Sequence, residues 1–213
     1  MLLAACGSSS NKTGSSSMPG MSMGSTSTGQ GTTAASGHAN AVDRAFVQQM
    51  IPHHQMAVQM AQTAKTQGQH PQITTLAGNI ITAQDREISE MTPIASKLGV
   101  KPDAMPMNGS MSGHMMSADQ ALGLTMAQSG MTMNMSALNG AKPFDRAFID
   151  MMIPHHQGAI RMARAELARG TNPQLKTIAQ GIIADQTKEI GEMNTWRSGW
   201  YGAASPAGGV PTA

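Results

Sequence analysis

The strongest constraint on how this chain folds is an internal repeat. The segment DRAFVQQMIPHHQ at residues 43–55 returns as DRAFIDMMIPHHQ at residues 145–157. The offset of 102 residues then holds without a gap as far as Met91 and Met193. Self-similarity of this kind indicates that one supersecondary unit has been duplicated. The fold must therefore be one that two copies of a single unit build together.

The pattern inside each copy predicts a helical hairpin. Apolar residues recur at three- and four-residue steps through the first half of each copy, and Gly68 and Gly170 end these stretches. Asn172 and Pro173 then provide an N-cap and a first-turn proline for the next helix. No stretch alternates with a period of two residues. The sequence predicts an all-α fold, a four-helix bundle made of two repeated hairpins.

The remaining segments are poor in branched apolar residues and charge, so they cannot bury enough surface to form a core of their own. We expect the following organisation: a lipobox remnant and disordered Ser/Gly/Met-rich tether at 1–40, a bundle at 41–200 with repeats at 42–99 and 144–200 joined by a crossover at 100–143, and a disordered tail at 201–213.

The crossover contains one sign of regular structure. Residues 117–120 read SADQ, the spacing of a capping box, and predict a short extra helix from Ala118 to Gln128. A connection of this length permits either relative direction of the two hairpins.

The amino terminus suggests export. Leu3 to Cys6, followed by Gly7, resembles the bacterial lipobox, in which the cysteine becomes a lipidated first residue. No basic segment and little apolar core precede it, so either the true start codon lies upstream or the match has no meaning. We expect a periplasmic or cell-surface protein that contacts the membrane only through a lipid on Cys6. A net charge of +2 and an aromatic content of 3% argue against nucleic acid as a partner.

Paired histidines occupy the centre of the apolar stripe in both copies, with methionines on either side. Adjacent helical residues point about 100° apart, so one histidine of a pair can face the bundle interior and the other a neighbouring helix. The spacing of the methionines places thioethers on the inward face beside the imidazoles. These candidate metal ligands are Met50, His53, His54 and Met60, repeated as Met152, His155, His156 and Met162.

Imidazole with thioether, and without thiolate, favours copper, and methionine selects Cu(I) over Cu(II). Ag(I) is the other soft ion that such a set suits. Zinc is expected with cysteine or carboxylate ligands, and a di-iron centre needs Glu-x-x-His pairs, which the second helices lack. The alternative is that the histidines are ordinary buried residues and the methionines fill gaps in the core.

Two further features bear on this region. Pro52 and Pro154 either kink a continuous helix or mark where the helix begins, and the unbroken apolar stripe favours the kink. Polar residues on the second helices are candidates to hold the non-ligating imidazole N–H groups; they are Gln84, Glu87, Gln186 and Glu189.

The chain has 21 methionines, and many lie in the tether and the crossover, where little else is apolar enough to pack. These residues are either low-complexity drift or flexible arms that capture Cu(I) or Ag(I). The candidate arm residues are Met18, Met21, Met23, Met105, Met107, Met111, His114, Met115, Met116, Met131, Met133 and Met135.

The two repeated segments, together with the Q-x-x-E-I-x-x-M pattern at 84–91 and 186–193, resemble the bacterial exported proteins grouped as domain of unknown function 305 (DUF305). The resemblance covers about residues 40–200. It implies a ferritin-like four-helix bundle, with some members implicated in extracytoplasmic copper binding and resistance. By position it adds Met91 and Met193 to the suspected ligands. Met56 departs from the family pattern, to which Gly158 conforms.

We therefore expect a protein that binds copper and sequesters it or hands it to a partner protein. We expect no enzymatic activity, because the sequence has no nucleophile and base pair and no phosphate loop, and its carboxylates are spaced as on solvated helix faces. Two alternatives remain at this point: a metal-dependent oxidase or ferroxidase in the bundle core, and a structural or partner-binding helical module.

Overall fold

The computed structural model describes residues 39–102 and 113–212, with the side chains of residues 113–115 outside that description. These ranges contain five α-helices and one short 3-10 helix at Met135–Leu138; the α-helices are α1 (Ala41–Gln67), α2 (Pro71–Lys97), α3 (Gly113–Leu122), α4 (Phe144–Arg169) and α5 (Pro173–Tyr201). The described ranges contain no β-strand. The prediction of an all-α fold made of two repeated hairpins is confirmed.

The helices begin and end where their capping residues direct. Asn40 closes a capping box at the start of α1, since its side chain accepts from the backbone N–H of Asp43 while the Asp43 carboxylate accepts from the N–H of Asn40. The side chain of Asn172 caps α5 in the predicted way, and Pro173 is its first residue. Gly68 and Gly170 follow the last residues of α1 and α4.

Both long first helices run through their prolines without a break. Pro52 lies inside α1 and Pro154 inside α4. The alternative in which a helix begins at the proline is therefore wrong, and the histidine pairs lie within continuous helices.

The two hairpins are clamped together by a pair of buried aspartates. Asp43, in the first turn of α1, accepts hydrogen bonds from the backbone N–H groups of Thr171 and Asn172 at 2.9 and 2.8 Å. Asp145, in the first turn of α4, accepts from the N–H groups of Gln69 and His70 at 2.9 and 2.8 Å. The aspartate at the start of each hairpin thus accepts hydrogen bonds from the turn of the other hairpin. This arrangement requires α1 and α4 to run antiparallel, a direction that the sequence left open.

The extra helix of the crossover differs from its prediction at both ends. It begins at Gly113 and ends at Leu122, where Gly123 takes a left-handed φ of +65°. The N–H groups of Gly123 and Leu124 bond back to the carbonyls of Gln120 and Asp119, which is the pattern of a Schellman cap. The glycine therefore stops the helix before the predicted end at Gln128.

Part of the crossover packs against the bundle. Met131 is only 1% exposed, and Met133 and Met135 are half-buried against core residues. The interpretation of these three residues as flexible arms is wrong, because the bundle supplies apolar surface that the local sequence lacks. Met116 is 64% exposed, as an arm residue would be.

Several predictions concern parts of the chain outside the described residues. These are the tether, the lipidation site Cys6, the arm residues Met18, Met21, Met23, Met105, Met107 and Met111, and the side chains of His114 and Met115.

The carboxyl-terminal tail is attached to the bundle rather than disordered over its described length. The side-chain amide of Gln157 donates to the carbonyls of Ala207 and Gly209 at 2.8 and 2.6 Å. Ala207 and Val210 also pack on the core. The prediction of disorder over 201–213 failed because the partner of the tail, Gln157, is distant in sequence. Within the described ranges, no helix combines the length and the apolar character needed to span a bilayer.

Candidate metal centre

Two histidines, one from each repeat, stack face to face at the centre of the bundle. The ring centroids of His53 and His155 are 3.6 Å apart and the rings are inclined by 12°. Nε2 of His155 donates to the backbone carbonyl of His53 at 3.0 Å. Burial, reinforced by the neighbouring histidines, lowers the pKa of His155 to about 3 and that of His53 well below its usual value. Both rings are therefore neutral at physiological pH.

The other histidine of each pair turns toward the second helix of its own hairpin. Nε2 of His54 lies 2.8 Å from a carboxylate oxygen of Glu87, and Nε2 of His156 lies 2.7 Å from one of Glu189. The carboxylate oxygen accepts a hydrogen bond from Nε2–H in each pair, so Nδ1 is the ring nitrogen left for another partner. Both Nδ1 atoms are buried, and neither has a hydrogen-bond partner among the described residues.

These contacts show which polar residues of the second helices hydrogen-bond to the imidazoles. Glu87 and Glu189 are the residues that hold the imidazole N–H groups, and both are buried. The view of these two carboxylates as parts of solvated faces is wrong. Gln84 and Gln186 are also buried, but their side-chain amides have no partner in the part of the chain that the structure describes.

The methionines group across the two repeats rather than within each one. The six methionines predicted as metal ligands are all buried and fall into two separate core clusters. One cluster contains Met50, Met91 and Met162, and the other contains Met60, Met152 and Met193.

The antiparallel packing of α1 against α4 explains this exchange. Met50 and Met60 are ten residues apart, or about 15 Å along the helix axis, so they cannot ligate one ion. The inward face that the spacing predicts therefore contributes to two separate clusters. Met60 instead lies in the cluster of the second repeat, and Met162 in that of the first.

Each outer histidine therefore lies next to one methionine cluster. Met50 precedes His54 by four residues on α1, and Met91 follows Glu87 by four residues on α2, which places each pair on one helix face. Met152, His156, Glu189 and Met193 repeat this relation. In each repeat, one imidazole with an unpartnered Nδ1, its supporting carboxylate and two methionines thus lie on neighbouring helix faces.

Oxygen and nitrogen donors alone do not build a centre here. Within the described residues, no three side chains of the His, Cys, Asp or Glu types converge in a way that could hold an ion. The paired imidazoles and carboxylates therefore do not by themselves make up such a group in these ranges.

The sequence interpretation missed several buried functional groups. Asp43 and Asp145 open both copies of the repeat, and a charged residue kept at the edge of an apolar stripe was a usable signal of a buried clamp. Glu166 is fully buried beside Asp43, and burial followed by this neighbour raises its pKa to about 8. No sequence pattern announced Glu166, because its counterpart in the first repeat is Ala64.

Comparison with known proteins agrees with the repeat and the fold. The model of the family described as domain of unknown function (DUF305) matches residues 4–95 and 43–197. The Cu(II)-bound form of CopM is similar to this chain with 35% sequence identity and a TM-score of 0.61, over 75% of this chain and 97% of that one. Its Cu(I)-bound form is similar with 34% identity and a TM-score of 0.59, over the same shares of the two chains.

Two more distant matches extend the comparison. A crystal structure of a DUF305 protein from Streptomyces coelicolor has 24% identity and a TM-score of 0.62, over 77% of this chain and 96% of that one, and shows the shared fold. An uncharacterized protein of Acanthamoeba polyphaga mimivirus is 41% identical over 51 residues, which are 24% of this chain and 34% of the viral protein.

Proposed function

This chain belongs to the DUF305 family, and we propose that it binds copper as Cu(I) at two equivalent sites and holds it or passes it to a partner protein. The first site comprises His54 with Met50, Met91 and Met162, and the second His156 with Met152, Met193 and Met60. Glu87 and Glu189 orient the two imidazoles.

The observation that carries this proposal is the state of the two outer imidazoles. In each, Nε2 is engaged by a carboxylate and Nδ1 is buried without a hydrogen-bond partner among the described residues. A buried polar atom without a partner costs about 1–3 kcal/mol, so a fold that carries two of them at equivalent positions needs a reason. A carboxylate on one ring nitrogen with a metal on the other is a recurrent arrangement in metalloproteins.

The chemistry of the donors supports a soft, monovalent ion. Neutral imidazole and thioether add no charge, and thioether selects Cu(I). CopM, which is 33–35% identical to this chain, has structures in Cu(I)-, Cu(II)- and Ag-bound forms, and its likeness supports copper and silver as the ions.

We favour storage or transfer over catalysis because every donor of the two sites is buried. A protein partner that exchanges copper with this chain belongs to the same proposal. So does export with lipidation at Cys6, which rests on the lipobox-like sequence.

Anaerobic titration with Cu(I) against a chromophoric chelator tests the two sites. We expect His54→Gln and His156→Gln each to bind one tightly held ion fewer than the unchanged protein, and the double variant two fewer. Gln55→Ala is the control, because Gln55 is an exposed residue next to His54 on α1 and takes no part in either site. Loss of an ion in this control would show that the assignment is not specific.

Two results would overturn the proposal. If the double variant keeps as much copper after desalting as the unchanged protein, the histidines have only a structural role. If the protein consumes oxygen steadily with Fe(II) or Cu(I), it is an oxidase rather than a store.

A further inference from the structure

We propose a third site for a soft monovalent ion, Cu(I) or Ag(I), formed by His53, Met56 and Met131 where the crossover passes over α1. It lies outside the two sites proposed above, shares no ligand with them and does not depend on their assignment.

Its thioethers form a cluster of their own. Met56 is 3% exposed and Met131 1% exposed, and the two pack together apart from the two main core clusters, with the half-buried Met133 against them and against the cluster of Met60. Met56 belongs to α1 and Met131 to the crossover. Two buried thioethers from distant parts of the chain thus meet at one place.

His53 supplies an imidazole at the same place. A Cβ atom built on Gly130 would lie 3.2 Å from Nε2 of His53, so this nitrogen faces the backbone immediately before Met131. His53 and Met56 are three residues apart on one helix and are neighbours on its surface. The Ser129 backbone lies beside the ring, yet neither ring nitrogen has a hydrogen-bond partner of ordinary geometry among the described residues.

The second repeat cannot form this site, for a steric reason. The residue equivalent to Met56 is Gly158, and a Cβ atom built there would lie 2.3 Å from the Ser129 carbonyl oxygen and 2.8 Å from the Gly130 nitrogen. The crossover backbone occupies the space that a methionine side chain would need. Gly158 of the second repeat therefore leaves room for the crossover backbone. Met56 of the first repeat provides the thioether, so the third site can form on one side of the bundle only.

The donors indicate which ion binds. His53 is neutral, and thioether is a soft, uncharged ligand, so the set suits Cu(I) and Ag(I) rather than Zn²⁺.

The test uses the full chain labelled with ¹³C at the methionine methyl groups and titrated with Ag(I). We expect Met131→Leu, which nearly conserves volume, to bind one Ag(I) fewer per chain and to abolish the shift of the Met56 methyl signal. The signals of Met50 and Met152 should still shift. Met56→Gly, which copies the residue of the second repeat, should lose the same ion.

Met116→Leu is the control, because it removes an exposed thioether and should leave the count and the Met56 shift unchanged. The inference is overturned if Met131→Leu binds as many Ag(I) ions as the unchanged protein, or if the Met56 signal still moves in that variant. It is also overturned if Met131→Leu shifts the midpoint of thermal unfolding and loses the Met50 and Met152 responses together, since the effect is then on the fold.

Discussion

Glu166 is the residue whose ionisation is most strongly opposed by the fold. Its side chain is fully buried against Gly170 and beside the carboxylate of Asp43, and its pKa is raised to about 8 by burial first and by Asp43 second. At neutral pH it is mostly protonated, so the buried pair carries one negative charge rather than two. That single charge is the one that Asp43 uses to hold Thr171 and Asn172.

Glu166→Gln should therefore change how stability depends on pH. The folded state keeps the Glu166 proton up to about pH 8, whereas the unfolded chain releases it near 4.5, so the unchanged protein loses stability as pH rises between these values. The amide cannot ionise and escapes this loss. We expect the variant to gain about 3–4 kcal/mol relative to the unchanged protein between pH 5 and pH 9, measured by urea unfolding. A difference that is the same at both pH values would show that Glu166 does not titrate in this range.

At the scale of elements, the crossover and α4 meet at a contact that only glycine permits. Gly158 lies inside α4, and the Ser129–Gly130 backbone lies directly on it. Gly130 itself has a left-handed φ of +75°, which suits glycine and turns the chain over the stacked histidines. The crossover can thus cover the centre of the bundle because Gly158 in the helix and Gly130 in the crossover carry no side chain.

Gly158→Ala should weaken this contact. The added methyl group would meet the Ser129 carbonyl oxygen at 2.3 Å, which forces the backbone to shift, and we expect a loss of about 1–3 kcal/mol in the free energy of unfolding. Gly181→Ala is the matched control, because Gly181 is an exposed position within α5 with open space around it. This control should gain about 0.4–1 kcal/mol. Chemical denaturation of both variants checks the pair, and equal changes in the two would contradict the proposed contact.

For the whole molecule, the two hairpins depend on each other for their turns and their cores. Asp43 and Asp145 cap turns in the opposite hairpin, and each methionine cluster takes residues from both. A single hairpin would leave its apolar stripe in water and its turn without a carboxylate. The bundle is therefore the smallest unit in which either candidate copper site is complete.

A peptide of residues 39–102 should consequently be much less helical per residue than the whole chain. Isolated helices gain most of their stability from packing of an apolar face, and this peptide lacks the face that α4 and α5 provide. Circular dichroism of the peptide, alone and mixed with residues 113–212, gives the measurement. Whole-chain helicity and a cooperative thermal transition in the peptide alone would show that the hairpin folds by itself.

Features that depend on neighbouring residues could be predicted from the sequence. Helix ends at Gly68 and Gly170, the cap at Asn172 and the histidine-bearing stripes follow from spacings of three and four residues and from local capping chemistry. Which donors lie close together depends instead on the packing of the helices. Met60 lies in a cluster with Met152 and Met193 of the other repeat. Met131, predicted to belong to a flexible arm, is a buried neighbour of Met56. These groupings depend on the antiparallel register of α1 and α4 and on the path of the crossover, which contacts between residues far apart in sequence establish and no local pattern encodes.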